Sequence, residues 1–150
     1  MPVLFEFAPE LNLLYYAGFG ICTGEEFFKA ERLAFHHEFR QKGMLIMIDI
    51  RSAKEVDFGV NNIKQAIELL SQLKAQNHQF EKTAVLSHSS VANTFMSAYR
   101  LLTSEYTTEI SVFNSVGEAA TWLGLSGIDD RISQIKNHLM DGFENNNTFS

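Results

Sequence analysis

The chain predicts an α/β fold: a mostly parallel sheet of about five strands, opened by an N-terminal hairpin, with helices packed on it and an extra helix at the C-terminus. Three observations carry this expectation. Two short runs rich in aromatic and aliphatic residues at the N-terminus are separated by a turn containing a proline. The run MLIMIDI, Met44 to Ile50, is almost wholly apolar, as a strand covered on both faces must be. Beyond it, segments with helical spacing alternate with short apolar runs, and that alternation implies parallel strands joined by right-handed crossovers.

MPVLFEF and LLYYAGFG read as the two hairpin strands, with Ala8-Pro9-Glu10 and Leu11-Asn12 between them. Gly18-Phe19-Gly20 lacks the third glycine of a dinucleotide-binding fingerprint and reads as a bent strand end. Thr23-Gly24-Glu25-Glu26 is a capping box, in which hydroxyl and carboxylate each accept a free backbone N–H at a helix start. The helix it opens is expected to reach Gln41 before Gly43 stops it. After the central strand, Ile63, Ile67 and Leu70 recur at helical spacing from Val60 onward, and TAVLSHSS gives the next strand. Val91, Phe95, Ala98 and Leu102 repeat the helical pattern, and Glu109 to Phe113 returns to strand. Ser115-Val116-Gly117-Glu118 is a second capping box, opening a short helix with Val116, Ala119, Ala120 and Leu123 on one side and Gly124 at its end.

Ile128, Ile132, Ile135, Leu139 and Phe143 fall on one face of a last helix, expected from Asp129 to Gly142. Residues 1–125 therefore read as one domain, 126–143 as an amphipathic helix packed on it, and 144–150 as a polar tail. The face formed by Ile128, Ile132, Ile135 and Leu139 either lies back on the helical layer or makes a homodimer contact about a two-fold axis. Burial within the monomer is the expectation.

Composition limits the function classes. The 150 residues suit one domain, and 45% hydrophobic against 20% charged residues, with two prolines, is the profile of a folded chain. Twelve Lys plus Arg against eighteen Asp plus Glu leave a formal charge of −6, which repels phosphate backbones, so no nucleic acid is expected as partner. The single cysteine, Cys22, cannot form an internal disulfide and reads as a small buried residue. The N-terminus has no basic residues before its apolar run, and no stretch reaches membrane-spanning length. A soluble cytoplasmic protein is the expectation.

The stretch VLSHSSVA, Val85 to Ala92, places hydroxyls and an imidazole where a strand meets a helix. A hydrolase would need a nucleophile, a base and an oxyanion pocket, and the glycine-flanked elbow usual in such folds is absent. Ser87 and His88 are neighbours on a strand and point to opposite faces, whereas Ser89 or Ser90 suits the N-cap of the following helix. An enzyme using Ser87, His88 and Asp57 is the third reading. Asp57-Phe58-Gly59 matches a kinase fragment without the loops that give it meaning. His36 and His37 sit side by side on the first helix and have no histidine four residues away, and His78 and His138 are isolated, so no metal is expected. No cofactor is expected either. Ser52, Asp57, His88, Ser89 and Asn114 are the candidate binding residues, because ligands of open α/β sheets meet the loops at the strands' carboxyl ends.

At ISVFNSVGEAATWLGL, Ile110 to Leu125, the chain resembles the C-terminal unit of the SpoIIAA-like, or STAS-like, superfamily, in the branch of small stand-alone bacterial proteins described as STAS/SEC14-type. MLIMIDIR is similar to that branch's central strand ending in Asp-x-Arg, here Asp49 and Arg51. Thr23 to Phe27 resembles its first helix start, and Lys82 to Val85 its next strand. The resemblance implies a (βα) superhelix and, in sporulation members, binding to an anti-sigma kinase controlled by a phosphorylated serine at a helix start. Here the corresponding region has Ser52 close behind the strand and no Asp-Ser-Ser-Gly sequence. The leading reading is a non-enzymatic STAS-like regulatory module that binds a protein partner. The alternative is a SEC14-like carrier of a small apolar ligand or lipid, suggested by Phe27, Phe28, Phe35 and Phe39 on one helix, which an ordinary core also explains.

Overall fold

The computed structural model describes residues 2–41, 43–57, 68, 82–88 and 109–148. Its N-terminal hairpin forms for a local reason. Strand β1 (Val3–Ala8) runs into a single 3₁₀ turn, Pro9–Leu11, closed by Asn12 in the left-handed region (φ 51°) with its N–H on the Pro9 carbonyl at 3.1 Å. So short a link admits only an antiparallel neighbour, β2 (Leu13–Gly18). β4 (Leu45–Asp49), β6 (Lys82–Leu86) and β7 (Glu109–Phe113) then add in parallel, giving the order β1-β2-β4-β6-β7. The sheet is therefore mixed, and the expectation of a mostly parallel one is corrected by the hairpin.

A second sheet was not anticipated. β3 (Gly20–Thr23) pairs in parallel with β5 (Ala53–Asp57). Gly20, at φ 64°, lets the chain leave β2 and turn into β3, where the register also shifts. A turn closed by the Ala53 N–H on the Ile50 carbonyl at 3.2 Å does the same between β4 and β5. Adjacent arms of the main sheet thus bend together and re-pair.

Helix α1 (Gly24–Phe35) begins as the capping box requires: Thr23 Oγ1 accepts from the Glu26 N–H at 3.3 Å and Glu26 Oε1 accepts from the Thr23 N–H at 3.1 Å. It stops at Phe35, short of the expected Gln41, with His36 as its cap. Past that point His37 stacks on Phe7 (4.7 Å between centroids) and Arg40 folds back to Glu31 at 3.0 Å. Tertiary contacts outweigh helix propensity there, and both histidines lie beyond the helix. α2 (Val116–Trp122) is capped by Ser115, whose hydroxyl accepts from the Glu118 N–H at 3.3 Å; the reciprocal arm of the box is not formed among the described residues.

α3 (Asp129–Thr148) continues past Gly142 into residues expected to form a polar tail. Ile128, Ile132, Ile135 and Leu139 are buried, 1–8% exposed, against the sheet within one chain. The surface proposed for a homodimer contact is covered, and pairing through it would require unpacking the monomer.

Strand alternation sorts the core into two layers. Leu14, Tyr16, Ile46, Ile48 and Val85 face Phe27, Ala30 and Ala34. Leu13, Tyr15, Ala17, Met47, Ala84 and Leu86 face α2 and α3. Cover on both faces explains why Met44 to Ile50 is so apolar. The helices expected from Val60 and from Val91, and the N-cap expected at Ser89 or Ser90, lie outside the described residues. No described helix is long and apolar enough to cross a membrane.

Candidate functional site

One residue breaks the apolar run of β4. Asp49 is 1% exposed, at the carboxyl end of the strand, on the face covered by α3. A buried carboxylate survives only when its charge is met by donors. Oδ1 accepts from the Arg51 backbone N–H at 3.1 Å and from Arg51 Nε at 3.0 Å. Oδ2 accepts from the Tyr15 hydroxyl at 2.6 Å and from Arg51 Nη2 at 2.8 Å, with Lys136 Nζ of α3 at 3.4 Å. Arg51 reaches both oxygens because it follows Asp49 by two residues around the β4–β5 turn, giving the bidentate pairing its fork favours. Tyr15 lies on β2 opposite Met47, so its phenol points to the same layer.

The electrostatics follow from these contacts. Burial pushes the Asp49 carboxyl up, but the Arg51 and Tyr15 hydrogen bonds and the Lys136 and Arg51 charges together hold it below the usual carboxylate range. Burial, reinforced by the Asp49 charge, pushes the Tyr15 phenol far above its ordinary value. The Asp49 hydrogen bond holds Arg51 even more firmly protonated. A second buried cluster lies on the other layer, where Tyr16 donates to Glu31 Oε2 and Arg40 Nη2 to Glu31 Oε1. Burial raises the Glu31 carboxyl against the pull of both partners. Cys22 is fully buried, as expected, and burial pushes its thiol up to about 12. Asp49, Tyr15, Arg51 and Cys22 are each shifted away from neutrality, the carboxyl downward and the other three upward.

The candidate residues read from the sequence meet only partly. The register Ala17, Asp49, Leu86, Phe113 across β2, β4, β6 and β7 brings Ser52, His88 and Asn114 to one end of the main sheet. His88 and Asn114 are exposed there. Ser52 is half-buried in the β4–β5 turn and is followed by a strand, so the helix-start phosphorylation site implied by the resemblance does not form at it. Asp57 lies opposite Thr23 at the far end of the second sheet, away from this rim. Ser89 lies outside the described residues. Ser87 is 2% exposed beside exposed His88, as strand alternation requires, and its hydroxyl has no hydrogen-bond partner among the described residues. Among the described residues no base lies within hydrogen-bond reach of the serine. Phe27 and Phe35 of the proposed carrier helix are built into the interior, while Phe39 is 45% exposed.

The sequence pointed to Asp49 and Arg51 through the resemblance but missed Tyr15 and Lys136. The available signal was an acid inside an apolar strand, which demands buried donors without saying where they come from. No group of three or more metal-ligating side chains occurs among the described residues.

No protein-family model matches the chain, and no curated protein matches it. A solved structure is similar: an uncharacterised protein of the DUF3478 family with a SpoIIAA-like fold, from Shewanella loihica PV-4. It is 16% identical, the match covers 79% of this chain and 90% of that one, and the TM-score is 0.52. Such a likeness concerns the fold, and it agrees with the resemblance seen at Ile110 to Leu125: the chain has a SpoIIAA-like α/β fold.

Proposed function

We propose that this protein is a non-enzymatic, STAS-like regulatory module that engages a protein partner through the loops at the carboxyl ends of β4, β6 and β7. The carrying observation is the state of Asp49: both carboxylate oxygens are committed to Arg51, Tyr15 and Lys136. This buried charge at the rim where ligands of such sheets bind thus stabilises the fold, and among the described residues the Ser87 hydroxyl at the same rim has no hydrogen-bond partner that could activate it. The exposed rim residues, His88 and Asn114, suit hydrogen bonding to another surface. A soluble cytoplasmic setting belongs to the same proposal.

Purified protein challenged with ester, phosphate and nucleotide substrates is expected to give no turnover. Robust turnover that His88→Ala abolishes would overturn the reading. Native mass spectrometry of the protein as purified tests the carrier alternative. Mass of the bare chain supports the proposal, and a stoichiometric co-purifying lipid replaces it.

A further inference from the structure

We propose that the Arg51–Lys136 pair at the carboxyl end of β4 binds an oxyanion, a phosphate or carboxylate group. In this cluster one carboxylate, Asp49, faces two cations, and the Tyr15 hydroxyl contributes a further donor without charge. Among the described residues one positive charge is left over. It is not neutralised from α3: the residues three and four positions from Lys136 are Ile132, Ser133, Leu139 and Met140, none of them acidic. The carboxylates of the hairpin are engaged elsewhere, Glu10 with Arg131 at 2.7 Å and Glu6 with His138 at 2.7 Å.

The donors are also available. Arg51 uses its backbone N–H, Nε and Nη2 on Asp49, and its Nη1 makes no hydrogen bond among the described residues. Lys136 has three protons and Asp49 Oδ2 as its one ion-pair partner among those residues. The two side chains are 22% and 18% exposed, enough to be reached from solvent and buried enough for their field to escape full screening. Asp49 holds the guanidinium from one side, so its outer edge is pre-oriented for a second planar or tetrahedral oxyanion. The anion would arrive either free or on an acidic side chain of a partner. The inference rests on the reading of this rim as the partner-facing edge, but its test measures ion binding instead of turnover, so each can fail alone.

The test uses the ¹⁵N-labelled full chain, titrated at constant ionic strength with inorganic phosphate, with acetate, and with a short glutamate-containing peptide. Saturable shifts of the Arg51 Nε–H and the Ser52 backbone N–H are expected. Lys136→Gln should weaken binding about tenfold, the scale of losing one nearby cation in a largely aqueous setting, whereas Lys136→Arg, and Arg131→Gln at a cation already paired with Glu10, should leave it within about twofold. Tighter binding of the peptide than of acetate assigns the anion to a partner chain, and equal binding assigns it to a free ion. Shifts that grow linearly without saturating, or that persist unchanged in folded Lys136→Gln, overturn the proposal. If the glutamine variant does not fold, saturation at Arg51 Nε–H in the wild type and its retention in Lys136→Arg carry the decision.

Discussion

Replacing Tyr15 by phenylalanine removes one hydroxyl from the centre of the buried charge cluster and leaves the ring, fully buried in the layer between the sheet and the C-terminal helices, in place. The hydroxyl donates to Asp49 Oδ2 at 2.6 Å, a hydrogen bond to an ionised acceptor, and such bonds are worth roughly 1.5–3 kcal/mol. Oδ2 keeps Arg51 Nη2 at 2.8 Å and Lys136 at 3.4 Å, so it is not orphaned, and the lower end of that range applies. A loss of about 1.5 kcal/mol is expected. For a chain of 150 residues this lowers the melting temperature by roughly 3–6 °C. Urea unfolding followed by circular dichroism should show a reduced midpoint with an unchanged slope. A Tyr15→Phe variant as stable as the parent, within about 0.3 kcal/mol, would refute the claim that the Asp49 cluster depends on this donor.

The same cluster sets a pH dependence. Because the Asp49 carboxyl titrates lower folded than unfolded, its contribution is fully present above the unfolded value of about 3.9 and is lost as pH falls through the depressed folded value. Asp49→Asn should flatten the acid limb of the stability curve, and parallel acid limbs for the two proteins would contradict it. A methyl added at Gly18 would lie 3.0 Å from Cys22 Sγ, so Gly18→Ala should cost about 1–3 kcal/mol in a urea melt, less in a Cys22→Ala background. An equal cost in both backgrounds would place the strain elsewhere. With its thiol buried and its pKa pushed up to about 12, Cys22 should react with a disulfide reagent at pH 8 only as fast as the protein unfolds, and fast labelling of the native state would refute that.

Local features were legible in the sequence because neighbouring residues enforce them. The Thr23–Glu26 capping box, the Pro9 turn of the hairpin and the doubly covered strand ending at Asp49 each declare themselves within a few residues. The end of α1 did not, since the helical pattern runs on past Phe35 while tertiary contacts such as Arg40–Glu31 and His37–Phe7 take over there. The second sheet was hidden for a related reason. β3 and β5 are short and partly polar, and they exist as strands because the bends at Gly20 and at Ile50–Ala53 bring them side by side.

By itself the sequence determined the sorting of residues into layers, because periodicity decides which side of a strand or helix each side chain takes, and one hydrophobic face must then cover another. Beyond the neighbouring Arg51, tertiary structure alone decided how the charge of Asp49 is met. The other donors come from a strand 34 residues before it and from a helix near the other end of the chain, and no local pattern encodes a meeting between segments that only the closed fold brings together.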